Sequence, residues 1–192
     1  MNQIPIQFYP SGTLVALVGN PNCGKTALFN LLTGSRQKVA NYAGVTVERK
    51  EGTYELNDGK KLRILDLPGT YSLYPRSPDE KVTCDVLAGK AKGEKKPDWA
   101  ICVVNATNLR RGLRLVLGVK RMGLPIVVAV NMMDVAARRG IQIDLLALSK
   151  ELGVPVVSTV GVKNDGAKDL KHTLNNLSML KTSTDESNVD DG

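Results

Sequence analysis

Apolar runs alternate along the chain with segments of helical periodicity, which is the pattern of repeated strand–helix–strand units and a mostly parallel sheet. The first run, 13–19, is apolar almost throughout, as expected of a strand buried on both faces. Two strands, 47–56 and 61–66, flank the turn sequence Asn57-Asp58-Gly59 and predict a hairpin. With 99–105, 125–131 and 154–158 this predicts an α/β fold: a mostly parallel six-stranded sheet with helices on both faces and one antiparallel hairpin strand.

Helices are predicted at 24–33, from 77 to about 87, at 109–122 and at 143–152. The second of these helices opens with the sequence Ser-Pro-Asp-Glu at 77–80, which is typical of a capped N-terminus. Leu170, Leu174 and Leu177 mark a last helix. The segments 36–46, 67–76 and 88–97 are predicted as loops, the last one mobile. We therefore expect an N-terminal extension at 1–12, one folded α/β domain at 13–181 and a disordered acidic tail at 182–192.

The octapeptide GNPNCGKT at 19–26 has the spacing of a phosphate-binding P-loop, and it lies between a buried strand and a helix as that motif requires. Glycines let the loop wrap closely around phosphate, while backbone N–H groups and the helix N-terminus supply positive potential. Lys25 is expected to reach the β- and γ-phosphates, and the hydroxyl of Thr26 to ligate Mg²⁺.

Two further segments fit a nucleotide switch. Asp66-Leu67-Pro68-Gly69 ends a predicted strand, so that Asp66 can hold Mg²⁺ through water and the Gly69 amide can sense the γ-phosphate. Thr46 lies in the irregular loop before the second strand and can add its hydroxyl to Mg²⁺ when GTP is bound. This makes its loop a segment ordered by the γ-phosphate and released after hydrolysis.

Guanine specificity is predicted by Asn131-Met132-Met133-Asp134 at the end of another strand. A carboxylate at Asp134 can accept from guanine N1–H and the exocyclic amine, whereas adenine would leave it unpaired at about 1–3 kcal/mol. Met132 stands where such motifs usually have lysine, and its stem can still cover the base. The segment Val157, Ser158 and Thr159 is expected to bring a backbone amide to guanine O6.

These segments together resemble the G domain of the FeoB ferrous-iron transport family, a branch of the GTPases related to tRNA-modification and ribosome-assembly enzymes. The resemblance extends in order over residues 13–175. It rests on the segments GNPNCGKTALFN (19–30), LTG (32–34), GVTVERKEG (44–52), DLPGTYSL (66–73) and NMMD (131–134). It implies a GTPase domain followed, in the family, by a helical spacer and a transmembrane Fe²⁺-transport domain. Neither is present in this sequence, so we expect either an excised piece or a stand-alone homologue.

The resemblance also implies a K⁺ site. FeoB-like GTPases with an asparagine at the position of Asn22 bind K⁺ beside the β- and γ-phosphates, where the ion replaces an arginine finger. The position after Asp-x-x-Gly, where Ras-like enzymes have a water-orienting glutamine, is Thr70 here. We therefore expect slow intrinsic turnover stimulated by K⁺. Arg76 is expected to point to solvent.

Composition limits the possible locations and partners of the protein. No apolar run approaches the roughly 20 residues that cross a bilayer, and no secretory signal peptide begins the chain. Aromatic residues are only 4% of the chain, which argues against a stacking surface for nucleic acid. Three scattered cysteines indicate a reducing compartment, and Cys23 is expected to be packed rather than reactive. We expect this chain to be soluble alone, and in a full-length transporter to lie at the cytoplasmic side of the bacterial inner membrane, with accessory Feo proteins as candidate partners.

Two other interpretations stay open. One is a tRNA-modification or ribosome-assembly GTPase, which would form a salt-sensitive RNA complex. The other is a regulator that binds GTP or GDP without hydrolysing it. The basic stretch 110–121 is either a docking face or a solvated helix face, and the only histidine, His172, is expected to be an exposed residue without partners.

The predicted site has three groups of residues. Those expected to act in catalysis are Lys25, Thr46, Gly69 and Asn22. Those expected to bind metal are Thr26, Thr46 and Asp66 for Mg²⁺, with Asn22 for K⁺. Those expected to bind GTP are Gly19, Asn20, Pro21, Asn22, Cys23, Gly24, Lys25, Thr26, Gly44, Val45, Thr46, Val47, Glu48, Asp66, Leu67, Pro68, Gly69, Asn131, Met132, Met133, Asp134, Val157, Ser158 and Thr159.

Overall fold

A single seven-stranded sheet organises the protein, whose computed structural model describes residues 12–185. The strand order is β2-β3-β4-β1-β5-β6-β7, and β3 alone runs against the others. The strands are β1 Leu14–Gly19, β2 Gln37–Asn41, β3 Glu48–Glu55, β4 Lys61–Asp66, β5 Trp99–Asn105, β6 Ile126–Asn131 and β7 Val156–Ser158. The mixed α/β architecture predicted from the hydrophobic pattern is confirmed.

Six helices pack on the two faces of the sheet. They are α1 Lys25–Thr33, α2 Pro78–Leu87, α3 Leu109–Arg121, α4 Met133–Arg138, α5 Leu145–Leu152 and α6 Lys168–Asp185, with a 3-10 turn at Ala106–Asn108 before α3. The predicted cap of α2 is formed, since the hydroxyl of Ser77 accepts from the Glu80 amide at 3.2 Å and Pro78 occupies the first turn.

Each face of the sheet has its own apolar core. Alternate residues of β1 point to opposite sides, so that Leu14, Ala16 and Val18 pack with α2 and α3, whereas Val15 and Leu17 pack with α1 and α6. The predicted leucines of the last helix enter the second core, with Leu170 and Leu174 buried and Leu177 partly buried. Because β1 is covered on both faces, its carboxyl end is a rigid base for the loop that follows.

The predicted strand count was one too low. Residues 37–41, taken as part of a loop, form β2, which pairs antiparallel with β3 from Gln37 opposite Gly52 to Asn41 opposite Glu48. Four of its five side chains are exposed, so an edge strand of this kind carries no hydrophobic period to identify it. The short helix α4 was also missed, because it begins within the motif that was interpreted as a base-binding turn.

The segment 88–97 is a loop, as predicted, but it is attached to the sheet. The carboxylate of Glu94 receives two hydrogen bonds from the Arg49 guanidinium on β3, at 2.7 and 3.0 Å. Arg49 also reaches Glu51, which in turn pairs with Arg63 on β4. Burial disfavours the charge of Arg49, yet its hydrogen bonds and attraction to Glu94 and Glu51 outweigh this and raise the pKa of Arg49.

The predicted extension at 1–12 and tail at 182–192 lie mainly outside the described residues. Within 12–185, no helix combines the length and the apolar character needed to span a bilayer.

We predict that Glu94→Gln lowers the free energy of unfolding by about 1–2 kcal/mol, because it removes one charge of a largely buried pair while Glu51 still contacts Arg49. Asp85→Asn is the matched control, since its ion pair with Lys81 is exposed and should contribute less than about 0.5 kcal/mol. Urea unfolding measures both, and equal losses would contradict a structural role for Glu94.

Candidate nucleotide site

The carboxyl ends of four adjacent strands meet at one edge of the sheet. β1 ends at Gly19, β4 at Asp66, β5 at Asn105 and β6 at Asn131. Ligands of open α/β sheets bind at this edge, and the strand order reverses here, since β1 has neighbours from later in the chain on both sides. The predicted motifs are therefore brought together by the topology.

The P-loop leaves β1 and enters α1 through Gly24, whose φ of +85° lies in the left-handed region. A Cβ at this position would stand 2.2 Å from the side-chain amide of Asn131, and one at Gly19 would stand 2.6 Å from Cys23 Sγ. Both glycines are therefore required by close packing as well as by loop shape. Asn22 also has a positive φ, 63°, which is uncommon for a residue with a side chain.

A cavity of about 590 Å³ extends from the P-loop towards the base-binding motif. Its lining residues are Asn20, Pro21, Asn22, Gly24, Lys25, Thr26, Gly69 and Met132. The P-loop and Met132 of the predicted base-binding motif thus border one continuous space, whereas Asp134 does not line it. Four of these eight residues carry polar side chains, and Lys25 supplies a positive charge, which suits an anionic ligand.

Lys25 and Asp66 form a short ion pair beside this cavity, with both side chains nearly buried. A second cavity of about 230 Å³ adjoins the pair and is lined also by Thr26. Hydroxyl and carboxylate oxygens are the ligands Mg²⁺ prefers, so Thr26 and Asp66 fit a Mg²⁺ site shared with substrate phosphates. Glu48, Lys50 and Asp79 line the same cavity, and sequence reasoning did not single out the last two.

The side chain of Asn131, at the end of β6, is hydrogen-bonded to both the P-loop and the loop after β7. Its Nδ2 donates to the carbonyl of Cys23 in the P-loop at 3.1 Å. Its Oδ1 accepts from the Thr159 hydroxyl at 3.1 Å and from the Gly161 amide at 2.9 Å. The residue is 2% exposed, so these bonds form away from solvent. Asn131 therefore positions the base-binding loops and the P-loop relative to one another.

Asp134 lies in the first turn of α4 with its carboxylate partly open. Its one close cationic neighbour among the described residues is Arg138, at 3.8 Å on an exposed side chain. Met132 precedes it with a φ of 63°, so the only two non-glycine residues with positive φ among residues 12–185 both line this site. Backbone strain of this kind concentrates at functional sites.

The end of β7 and the loop after it pack against Asn131 and α6. Val157 and Ser158 are half-buried on the strand, and the Ser158 hydroxyl approaches Asp169 at 3.4 Å. Thr159 is 1% exposed and turned inward onto Asn131. Gly161 was not predicted, although it is buried beside Ala27 of α1 with room for no side chain without displacement. A glycine three residues beyond a strand end is the signal that could have identified it.

The first switch segment lies outside the phosphate cavity. Tyr42 and Val47, both buried, are joined by a hydrogen bond from the Tyr42 amide to the Val47 carbonyl at 3.0 Å. Between them Gly44, Val45 and Thr46 are exposed, and none lines either cavity described above. Val47 and Glu48 do line the cavity beside Asp66. A contact from Thr46 to Mg²⁺ therefore requires this short loop to close on two fixed ends.

The second switch segment, residues 67–76 and below called switch II, is held against the P-loop. The Thr70 amide donates to the Gly19 carbonyl at 3.0 Å, and a Cβ on Gly69 would meet Pro21 at about 3.1 Å. Thr70 is fully buried, and its hydroxyl donates to the Ser72 carbonyl at 2.6 Å. Its hydroxyl is thus engaged within the loop. Arg76 is exposed, as predicted.

Burial and contacts decide the environments of two further residues, Cys23 and His172. Cys23 is 3% exposed, and burial raises the pKa of its thiol despite the opposing effect of Lys25, which supports packing over reactivity. His172 is exposed, but the prediction that it lacks partners was wrong, since its Nε2 lies 3.1 Å from Asn176 Nδ2 one turn further along α6.

Comparison with known proteins identifies the arrangement. Residues 13–174 match the family model described as ferrous iron transport protein B. A fusion of Fe(2+) transport protein A with the Fe(2+) transporter FeoB, from Porphyromonas gingivalis, is 47% identical over 175 residues, which cover 90% of this chain and 20% of that protein. The chain thus spans about one fifth of the length of the curated relatives it matches.

Solved structures of similar fold belong to the same family. The cytosolic domain of the T. maritima FeoB iron transporter in a GDP form superposes with a TM-score of 0.77 at 43% identity, covering 85% of this chain and 62% of that one. The separate G domain of the same transporter gives a TM-score of 0.73 at 42% identity, covering 84% and 96%. The chain therefore belongs to the ferrous iron transport protein B family and has the fold of its G domain.

Proposed function

We propose that this domain binds GTP with Mg²⁺ and hydrolyses it to GDP and phosphate, as the nucleotide-dependent switch of a ferrous-iron uptake system. The observation that carries the proposal is the single cavity running from the P-loop to Met132, with Asn131 holding its two ends in register. The GDP form of the T. maritima relative supports a guanine nucleotide as the ligand.

The roles follow from the positions. Backbone N–H groups of the P-loop and the N-terminus of α1 bind the phosphates, and Lys25 exchanges its partner Asp66 for phosphate oxygens. Thr26 and Asp66, with Thr46 once its loop closes, would hold Mg²⁺, which supplies charge neutralisation on the phosphates. Gly69 lies close against Pro21 of the P-loop, and its amide would report the γ-phosphate, while loop backbone orients the attacking water in place of a glutamine.

The carboxylate of Asp134 would read the guanine edge, with Met132 and Met133 at the base and a backbone amide near Thr159 at O6. The partners we propose are GTP and GDP, a helical spacer and a transmembrane Fe²⁺-transport domain, with accessory Feo proteins as further candidates and no nucleic acid. The cytoplasmic side of the inner membrane is then the location, which the name of the cytosolic-domain relative supports.

Asn22 is the proposed K⁺ ligand. It lines the phosphate cavity, is exposed, and is held by its positive φ at the turn of the loop. A side-chain amide oxygen is a ligand of the kind a hard monovalent cation takes, and such an ion would supply part of the charge stabilisation that an arginine finger gives. A monovalent ion should contribute less than the ~10³–10⁵-fold effect of a finger.

A second candidate is a regulator that binds GTP and GDP with negligible turnover. It is favoured by the engagement of the Thr70 hydroxyl with Ser72, because the residue that directly follows Gly69 then has no free side-chain group to orient water. Single-turnover hydrolysis by the purified chain separates this candidate from the enzyme.

We predict faster GTP hydrolysis in KCl than in NaCl at equal ionic strength, by at least about tenfold, because the ion stabilises charge that develops between the phosphates. Asn22→Ala should abolish the difference while GDP affinity stays within a few-fold. Lys38→Ala, an exposed change on the edge strand β2, is the control. Equal rates in both salts for the unmodified chain would remove the K⁺ assignment and leave GTP binding intact.

We predict that Asp134→Asn lowers GTP affinity at least about 100-fold and leaves thermal stability unchanged, since the carboxylate makes one weak, exposed contact in the fold. Asn131→Ala is the matched comparison. It should lower GTP affinity and also lower the free energy of unfolding by about 1–3 kcal/mol, because the buried Cys23 carbonyl, Thr159 hydroxyl and Gly161 amide lose their partner. Calorimetric titration and urea unfolding measure the two effects. Undiminished GTP affinity of Asp134→Asn would refute the assignment of Asp134 to guanine.

A further inference from the structure

Switch II is attached to α3 by a cation–π contact. The guanidinium carbon of Arg111 lies 4.0 Å from the centroid of the Tyr71 ring, well within the range of an effective contact. Tyr71 directly follows Thr70, whose amide is bonded to Gly19 at the base of the P-loop. One short segment is therefore held from two sides, by the P-loop within and by Arg111 outside.

A second contact continues the attachment along the same helix. A Cβ on Gly118 would stand 3.3 Å from Leu73 Cδ1, so Leu73 packs closely on α3 two turns beyond Arg111. The helix itself is seated tightly, since a Cβ on Gly112 would lie 2.8 Å from Val104 on β5. Arg111 thus lies on a helix that packs closely against the sheet.

The stack also borders the back of the phosphate site. A cavity of about 60 Å³ is lined by Asn20, Pro21, Asn22, Cys23, Tyr71, Asn105, Asn108 and Arg111. It shares Asn20, Pro21 and Asn22 with the phosphate cavity. The Oδ1 of Asn20 is buried and has no hydrogen-bond partner among residues 12–185, and Arg111 is the one charged residue that lines the same cavity. Loss of the stack would open this region to solvent.

We propose that Arg111 is a positioning residue for hydrolysis: through Tyr71 it holds the Gly69–Thr70 backbone against the P-loop, where that backbone orients the attacking water. This rests on the proposed function. Arg111 does not line the phosphate cavity, so it would act on the reaction through Tyr71. The positioning matters more here than in Ras-like enzymes, because no glutamine follows Gly69 and the backbone must do the work of its side chain.

The neighbouring arginines provide the control. Arg110 and Arg114 lie on the same helix, are exposed, and make no ring contact or ion pair within the described part of the chain. Removing either takes away the same charge from the same helix without removing the stack. Any effect of Arg111 beyond that of Arg114 therefore reports the contact with Tyr71.

The test compares Arg111→Ala, Tyr71→Ala, the double variant, Tyr71→Phe and Arg114→Ala by GTP turnover. We expect Arg111→Ala and Tyr71→Ala each to lower kcat about 3- to 5-fold, or about 0.6–1 kcal/mol at 1.36 kcal/mol per tenfold, with KM and GDP affinity unchanged. The double variant should fall no further than either single one. Tyr71→Phe, which keeps the ring face, should retain most of the rate, and Arg114→Ala should match the unmodified chain.

Limited trypsin digestion without nucleotide gives a second readout, independent of GTP. The exposed Arg76 follows the attached segment, and cleavage after it, followed by mass spectrometry, should quicken severalfold in Arg111→Ala and Tyr71→Ala but not in Arg114→Ala. Additive losses of kcat in the double variant, or an Arg111→Ala that matches Arg114→Ala in both assays, would overturn the proposal. An unmodified chain that neither binds nor hydrolyses GTP would overturn the proposed function, and the positioning role in hydrolysis with it; digestion would still show whether the stack fixes switch II.

Discussion

The contact between Asn131 and the P-loop is the constraint on which the rest of the site depends. The side-chain amide of Asn131 occupies the space where a Cβ of residue 24 would stand, so the loop can reach its phosphate-binding shape only with glycine there. The same amide then bonds Cys23 on one side, and Thr159 and Gly161 on the other. Because every bond is buried, any shift of one loop leaves an unpaired polar group, which fixes the distance between the phosphate and base ends of the cavity.

The sequence could predict what depends on periodicity and on short motifs. The buried strands β1, β5 and β6 carry continuous apolar runs, and the motifs at their ends fall at one edge of the sheet because parallel strands place their carboxyl ends together. The edge strand β2 could not be predicted this way, since its pairing with β3 is made by backbone and its side chains face solvent. The inward turn of Thr159 and the contact of Arg111 with Tyr71 join residues distant in the chain, and no local pattern encodes them.

The two switch segments are fixed at different points, which has a consequence for how they can move. Switch I is a four-residue loop between the buried Tyr42 and Val47, so its ends are immobile and only its tip can close. The strand that follows it is bonded through Arg49 to Glu94, in the loop that leaves α2. Helix α2 begins just after switch II, and the loop that follows α2 is joined through Glu94 to Arg49 on β3, the strand that follows switch I. A shift of α2 therefore acts on β3 through a nearly buried ion pair rather than through solvent.

Slow hydrolysis, as proposed above, would fit a domain built this way. A glutamine after Gly69 would supply a water-orienting group with its own rotamer freedom, whereas here the hydroxyl of Thr70 is bonded to its own loop and the segment is fixed by Gly19 and Arg111. In the proposed mechanism the orientation of water then depends on how well the backbone of switch II is held, and the contact with Arg111 of α3, behind the P-loop, helps to hold it. A partner that presses on α3 or displaces Tyr71 could thus change the rate of hydrolysis without touching the phosphates. For a switch, control of the lifetime of the GTP state matters more than a high intrinsic rate, and this arrangement gives that control to an outer face of the domain.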